Sequence, residues 1–264
     1  MHFSLLGVPW DKSQTYRKGA AKAPDVIRKV LPHLETWHAG VDLADSAFMK
    51  DLGNVKAKDF NTVINDVFAA LHAMDVPVNS VPVILGGEHT VSLAAVRALK
   101  PRRVVILDAH PDAEDTFGHT GVVRRIAEQV GPANISLYGV RTLSKEEHAW
   151  LASNRIHIAS LKDLWKIREP VYLSVDFDVL DPHVLPAVGN PEPAGLSFVD
   201  VLNAVHALAP RIAAMDFVEF TPFPCAHANE VHALTAGKLI YAAMAEVVRA
   251  QAGQRRIDST FAKA

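Results

Sequence analysis

The chain has 264 residues, of which 49% are hydrophobic and 21% are charged, and its formal net charge at pH 7 is −2. A disordered chain is excluded, because such chains have few apolar residues and a large net charge. The balanced charge also argues against the basic surface that nucleic-acid binding requires, so we expect no nucleic-acid partner.

The N-terminus and the cysteine count favour the cytoplasm. The first residues lack the basic stretch and long apolar run of a signal peptide, and no uninterrupted apolar stretch reaches the roughly 18 residues of a membrane helix. The single cysteine, Cys225, cannot form an internal disulfide bond and lies outside any cysteine-enzyme pattern. We therefore expect a cytoplasmic protein with no membrane partner, in which Cys225 is a structural or incidental thiol.

Short apolar runs bounded by glycine, proline, asparagine or charged residues predict buried β-strands. In chain order these runs are residues 3–8, 81–85, 104–107, 135–140, 156–159, 171–175 and 212–218. Apolar residues with helical spacing mark segments at 63–74, 93–99 and 202–208, and residues 239–248 predict a terminal helix. Alternating strands and helices predict a three-layer α/β/α fold with a mostly parallel central sheet covered on both faces. No linker or repeat interrupts the alternation, so we expect one domain over residues 1–264.

Polar residues follow three of the predicted strands at their carboxyl ends. They are Glu88 and His89 after the second run, Asp108, His110 and Asp112 after the third, and Asp176 and Asp178 after the sixth. In open α/β sheets, ligands bind beyond the carboxyl ends of the strands. Residues two apart on an extended chain point to the same side, so Asp108, His110 and Asp112 can converge, and so can Asp176 and Asp178.

The composition of these clusters predicts a metal site. Carboxylates gathered at the edge of a buried sheet repel one another and lose hydration, so a cation is needed to hold them. Each cluster alone has a structural alternative, since a lone histidine such as His89 often caps or packs, and one Asp-x-Asp is usually a turn. That alternative does not explain three clusters at three strand ends. Asp181, which precedes Pro182, is interpreted as a turn residue outside the site.

These motifs resemble those of the arginase/agmatinase (ureohydrolase) family, over nearly the whole chain. Residues 86–90 (GGEHT), 108–112 (DAHPD) and 174–182 (SVDFDVLDP) are similar to its motifs Gly-Gly-Asp/Glu-His-Ser/Thr, Asp-Ala-His-x-Asp and Ser-x-Asp-x-Asp-x-x-Asp-Pro. The segments at 7–24 and 191–196 add weaker similarity, with Asn190 and Ala194 in place of a usual threonine and glycine. The resemblance implies an arginase-like fold and a homo-oligomer, either a trimer or a hexamer.

The same resemblance implies two Mn²⁺ ions per chain. One ion would be held by His89, Asp108, Asp112 and Asp176, and the other by His110, Asp108, Asp176 and Asp178, so that Asp108 and Asp176 bridge. Four carboxylates and two imidazoles favour Mn²⁺ over metals that prefer thiolates. Two divalent cations balance four carboxylates, and a bridging hydroxide leaves a net charge of −1, which suits a guanidinium of +1.

Two further residues receive catalytic roles from the resemblance. His119 matches the family's proton-shuttle histidine, although the alignment needs a gap before it, and the alternative is a loop histidine without a role. Glu219 matches the glutamate that accepts hydrogen bonds from the substrate guanidinium, and the alternative is a salt bridge to a nearby arginine. The metal-bridging hydroxide would attack the guanidino carbon, and the departing amine must be protonated because an amide anion is too basic to leave.

The expected substrate is a small guanidino compound, hydrolysed to urea and an amine. In the short loop at 113–118, Glu114 and Asp115 would repel the α-carboxylate of arginine and attract a terminal ammonium, so agmatine, yielding putrescine, is the first expectation. The alternatives in the family are arginase activity or another guanidino or formimino substrate. A single-zinc deacetylase-type amidohydrolase and a non-catalytic metal-binding protein fit less well, because the first lacks the two-metal set and the second would usually have lost a ligand.

Overall fold

The structure is a computed structural model that describes residues 1–73, 77, 79–224 and 226–261, without the side chains of 226–229 and 254–261. Met74, which marks the end of a predicted helix, and Cys225, which is expected to be an unremarkable thiol, both lie outside the described residues.

An eight-stranded parallel sheet forms the centre of the described structure. In all, the described residues form ten strands, eight of which belong to this sheet. They are β1 (His2–Val8), β2 (Trp37–His38), β3 (Val41–Asp42), β4 (Phe48–Asn54), β5 (Val81–Gly86), β6 (Arg103–Leu107), β7 (Ile135–Tyr138), β8 (His157–Ile158), β9 (Val171–Asp176) and β10 (Ile212–Val218). The sheet order is β4-β1-β5-β10-β9-β6-β7-β8, and every neighbouring pair is parallel. Strands β2 and β3 form a separate antiparallel pair. The predicted mostly parallel sheet is confirmed.

Helices cover both faces of this sheet. They are α1 (Ala23–Val30), α2 (Leu43–Ser46), α3 (Phe60–Leu71), α4 (Thr90–Leu99), α5 (Val122–Val130), α6 (Lys145–Asn154), α7 (Leu161–Leu164), α8 (Phe198–Leu208) and α9 (Ala226–Phe261). Alternate residues of β6 enter different cores: Val105 packs with apolar residues of α1, α8 and α9, whereas Val104 packs with those of α3, α4 and α5. A strand buried on both faces is apolar at nearly every position, and this explains the continuous apolar runs.

Several predicted elements differ from the structure at their ends, and the strands β2, β3 and β4 were not predicted. Strands β7 and β8 are shorter than the runs at 135–140 and 156–159, and α9 extends well beyond residues 239–248. Strand β4 pairs only with β1 at the edge of the sheet and is largely exposed, so its sequence carries neither a buried run nor a regular alternation. The single-domain assignment stays a prediction.

One described helical stretch is long and apolar enough to cross a membrane. It is Glu230–Gly253, within α9, and 61% of its most apolar window is buried inside the structure. Burial of this kind is expected of a core helix, and α9 packs against α1 and α8. The cytoplasmic location stays a prediction.

Candidate metal centre

Four adjacent strands in the middle of the sheet deliver the predicted site residues. In the order β5-β10-β9-β6, the residues at or just beyond the carboxyl ends are His89, Glu219, Asp176 and Asp108. Parallel strands present their carboxyl ends at the same edge, so residues far apart in the chain meet there.

The turn after β5 is shaped by close contact with the N-terminal segment. A Cβ on Gly87 would lie 1.9 Å from the Trp10 carbonyl oxygen, and Glu88 N–H donates to that oxygen at 2.7 Å. The Glu88 carboxylate accepts hydrogen bonds from Ser13 N–H at 2.7 Å and from the Thr90 hydroxyl at 2.7 Å. Glu88 therefore holds the N-terminal loop, and His89 follows it at the start of α4.

The first group of candidate ligands surrounds the Nδ1 atom of His89. Carboxylate oxygens of Asp108, Asp112 and Asp176 lie 3.0, 3.1 and 3.3 Å from this atom. A single N–H cannot satisfy three carboxylates, and Asp108 Oδ2 is buried without a hydrogen bond among the described residues. This arrangement fits a cation between the four side chains.

The second group shares Asp108 with the first. His110 Nδ1 lies 2.9 Å from Asp178 Oδ2 and 3.7 Å from Asp108 Oδ1. Two of the carboxylates also accept hydrogen bonds from backbone N–H groups. The N–H of Ala109 donates to Asp178 at 3.1 Å, and the N–H of Asp178 donates to Asp176 at 2.8 Å. Two sets of side chains therefore have the spacing of metal ligands: His89 with Asp108 and Asp112, and Asp108 with His110 and Asp178.

The electrostatics of the carboxylates also favour a bound cation. Burial raises the pKa of Asp176 well above its usual range, and the charges of Asp178 and Asp108 add to that rise. Burial, together with the charge of Asp108, raises the pKa of Asp112 to about 7. Asp112 also has a left-handed backbone, with φ of 44°, a conformation unfavourable for a non-glycine residue. The donor set therefore fits two divalent cations that share Asp108.

A buried polar chain behind His89 was not anticipated from the sequence. His89 Nε2 lies 3.1 Å from the Ser174 hydroxyl, which in turn lies 3.1 Å from the Ser92 hydroxyl. Asp216 accepts a hydrogen bond from the Tyr172 hydroxyl, and burial raises the pKa of Asp216. Partners of this kind set the tautomer and orientation of a metal-binding imidazole. The available signal was an aspartate inside the otherwise apolar run at 212–218.

His119 is buried beside the N-terminal loop. Its backbone N–H donates to the Ser13 hydroxyl at 2.9 Å, and its Nε2 lies 3.4 Å from the Thr15 hydroxyl. Its Nδ1 is buried and has no hydrogen-bond partner within the described part of the chain. Burial lowers the pKa of His119, and the charge of His89 lowers it further, whereas the charges of Glu88 and Asp108 raise it. Burial therefore favours the neutral form of this ring.

Glu219 lies next to the ligands at the end of β10. Its backbone is left-handed, with φ of 65°, and burial raises its pKa to about 8. The Glu219 Oε1 atom accepts a hydrogen bond from the backbone N–H of His89 at 2.8 Å, and Oε2 accepts one from Gln14 Nε2 at 2.8 Å. No lysine or arginine among the described residues forms an ion pair with Glu219, so the salt-bridge alternative is not supported.

The loop at 113–118 does not present both of its carboxylates to the site. Asp115 is paired with Arg125 and lies 3.3 Å from Arg124, and both arginines belong to α5. Arg124 also donates to the carbonyl oxygen of Ala113 at 3.1 Å. The expectation that Asp115 acts as a free charge toward the substrate is therefore wrong, because the helix that follows the loop neutralises it. Glu114 is exposed.

Comparisons with known proteins identify the family of the chain. The family model described as Arginase family matches residues 1–245. The N(1)-aminopropylagmatine ureohydrolase of Thermococcus kodakarensis is 33% identical over 259 residues, covering 90% of this chain and 88% of that protein. Arginase 1, mitochondrial, of Oryza sativa subsp. indica is 32% identical over 251 residues, covering 83% and 74%. The crystal structure of the agmatine ureohydrolase of Thermoplasma volcanium has a TM-score of 0.82 at 32% identity, covering 93% of this chain and 89% of that one.

A parallel sheet with two carboxylate–histidine groups at its carboxyl edge is the framework of a binuclear metal hydrolase. The chain belongs to the arginase family, whose members are enzymes of this kind. It is a hydrolase of C–N bonds in linear amidines, the class that includes guanidino hydrolysis with release of urea. Family membership decides against the deacetylase-type and non-catalytic alternatives.

Proposed function

We propose that the protein hydrolyses agmatine to putrescine and urea with two Mn²⁺ ions per chain. The observation that carries this proposal is the pair of ligand groups sharing Asp108, with the buried carboxylate of Glu219 beside them. We assign His89, Asp108, Asp112 and Asp176 to one ion, and His110, Asp108, Asp176 and Asp178 to the other. When bound, the cations supply a water-derived nucleophile at neutral pH and stabilise developing negative charge.

Glu219 binds and orients the guanidinium group in this proposal. A buried carboxylate with a pKa of about 8 is stabilised in its charged form by a cation, and a guanidinium presents parallel N–H donors that match the two oxygens. The bond from His89 N–H fixes the carboxylate beside the first ligand group. The guanidino carbon is thereby held next to the metal centre, as an aligned reaction requires.

His119 delivers the proton that the leaving amine needs. His119 is 5% exposed. The Ser13 hydroxyl accepts a hydrogen bond from its backbone N–H, and the Thr15 hydroxyl lies 3.4 Å from the ring Nε2. Because burial lowers its pKa, the protonated ring is a stronger acid than a histidine in water and transfers its proton readily. Burial also limits bulk water around the leaving nitrogen.

Two observations support agmatine as the substrate. The agmatine ureohydrolase of Thermoplasma volcanium is similar to the chain over most of its length, and the similar enzyme of Thermococcus kodakarensis is named for a substituted agmatine, N(1)-aminopropylagmatine. In addition, Glu192 Oε1 lies 3.6 Å from His110 Nε2, beside the second ligand group. This carboxylate disfavours a substrate that carries a carboxylate of its own. The test is kcat/KM for urea release from agmatine, arginine and 4-guanidinobutyrate, and a preference for arginine or the acid would refute this choice.

Arginase activity is the second candidate, favoured by the similarity to the rice arginase. The same substrate panel separates the two activities, since both release urea through the same centre. We also propose a cytoplasmic homo-oligomer, trimeric or hexameric, with no nucleic-acid or membrane partner. Light scattering coupled to size-exclusion chromatography tests the assembly, and a monomer would contradict it.

A further inference from the structure

We infer that Gln14 is a positioning residue that sets the orientation of the Glu219 carboxylate for guanidinium binding. The inference rests on the proposed role of Glu219. Gln14 lies in the loop between β1 and α1, 205 residues from Glu219 in the chain, and only 5% of it is exposed. A neutral polar side chain buried this deeply needs partners for its carbonyl and its amide group.

The contacts of Gln14 determine which end of its amide faces Glu219. Its Oε1 accepts hydrogen bonds from the backbone N–H groups of Gly19 at 3.2 Å and Ala20 at 3.4 Å. Because those backbone groups only donate, the oxygen must face them, and the amide cannot be reversed. Its Nε2 therefore faces the site, where it donates to Glu219 Oε2 at 2.8 Å.

Glu219 is consequently held at both oxygens by donors from different parts of the chain. His89 N–H donates to Oε1 and Gln14 Nε2 donates to Oε2, each at 2.8 Å. Each carboxylate oxygen accepts more than one hydrogen bond, so the pair of oxygens keeps acceptor capacity for two guanidinium N–H groups. The two protein donors fix the plane of the carboxylate, and that plane determines where a bidentate guanidinium lies.

Gly189 lies directly against the hydrogen bond between Gln14 and Glu219. A Cβ built on Gly189 would lie 3.1 Å from Gln14 Nε2 and 3.1 Å from Glu219 Oε2. Both distances are tighter than ordinary van der Waals contact, so an alanine there would press on the hydrogen bond itself. Gly189 does not have a left-handed backbone, and alanine is therefore compatible with its conformation. The position offers a second way to perturb the same bond.

The chemistry of the position favours glutamine over its closest alternatives. A methionine has similar length but leaves Glu219 Oε2 without this donor, and a buried acceptor that loses its partner is costly. A glutamate would place a second carboxylate against the first, and the two like charges would repel. Only a side chain with a donor at one end and an acceptor at the other meets both requirements.

The test compares Gln14→Met and Gly189→Ala with wild type in the Mn²⁺-loaded protein. Calorimetry measures the Kd of guanidinium ion, added as its chloride at low millimolar concentration, and urea assays measure kcat and KM for agmatine. A hydrogen bond to a charged group predicts a Kd and a KM raised about 10- to 100-fold in Gln14→Met, with a smaller rise in Gly189→Ala. We expect kcat to change less than about threefold, because the bond acts on guanidinium binding before and during the reaction.

Lys18→Gln is the matched control, since Lys18 is an exposed residue of the same loop. It should leave Kd and KM within about twofold of wild type, and metal content should be unchanged in every variant. The inference is overturned if Gln14→Met and Gly189→Ala keep wild-type Kd and KM, or if only kcat falls. A wild-type protein that binds guanidinium but releases no urea would refute the proposed function, while the calorimetric comparison would still decide the role of Gln14.

Discussion

Replacing Ser174 with alanine should weaken one Mn²⁺ site more than the other. The Ser174 hydroxyl is the partner of His89 Nε2 at 3.1 Å, and both side chains are fully buried. Without this hydroxyl, the ring nitrogen loses its partner at a cost of about 1–3 kcal/mol, and the imidazole is no longer held with Nδ1 toward the carboxylates. Loss of such a partner typically weakens metal binding by about 10- to 100-fold.

The measurement is a calorimetric Mn²⁺ titration of Ser174→Ala beside wild type, with electron paramagnetic resonance to count bound ions. Ser92→Ala is the matched control, because Ser92 contacts Ser174 but leaves the bond between Ser174 and His89 in place. We expect one of the two affinities to fall in Ser174→Ala and both to stay near wild type in Ser92→Ala. Equal affinities in all three proteins would refute the idea that this hydroxyl orients His89.

The remaining predictions concern the proton donor, the metal-free protein and the short loop. His119→Ala should retain two metal ions per chain and lose about 10²- to 10⁴-fold in kcat, and unchanged turnover would show that another group protonates the leaving amine. The raised pKa of Asp112, about 7, means that the folded metal-free protein keeps a proton that the unfolded chain releases near pH 4. The stability of the metal-free protein therefore falls as pH rises from about 4 to 7. Because Mn²⁺ replaces that proton, the gain in Tm on adding Mn²⁺ should be larger at pH 8 than at pH 6. A gain in Tm that shrinks as pH rises would contradict this. Asp115→Asn should change the ratio of kcat/KM for agmatine to kcat/KM for arginine by less than about twofold, because Arg124 and Arg125 already neutralise Asp115. A loss of selectivity, measured with both substrates, would contradict the pairing of Asp115 with these arginines.

The sequence predicted the central strands because they are buried on both faces. Residues of β5, β6, β9 and β10 have to be apolar at nearly every position, so each strand is visible as a continuous run. The polar residues just beyond those runs were conspicuous for the same reason. Strand β4 was missed because an exposed edge strand with one partner needs no such pattern.

The parts of the site that sequence reasoning missed depend on contacts between distant segments. Gln14 reaches Glu219 across 205 residues, and nothing in the residues around Gln14 indicates a buried amide. Ser174 lies within a recognised motif, but its contact with His89 follows from the arrangement of β9 beside the start of α4. The role expected of Asp115 failed because loop charge was considered without the arginines of the helix that follows.

An assay of urea release, with a metal count on the same preparation, decides whether two cation sites with a shared ligand act on a guanidino compound. We predict two Mn²⁺ ions per chain, urea from agmatine with a higher kcat/KM than from arginine, and loss of both metals and activity in Asp108→Ala. Asp108→Ala is the informative variant because Asp108 belongs to both ligand groups. Full activity with a single zinc ion per chain, or with Asp108 replaced, would contradict a two-manganese centre that shares Asp108.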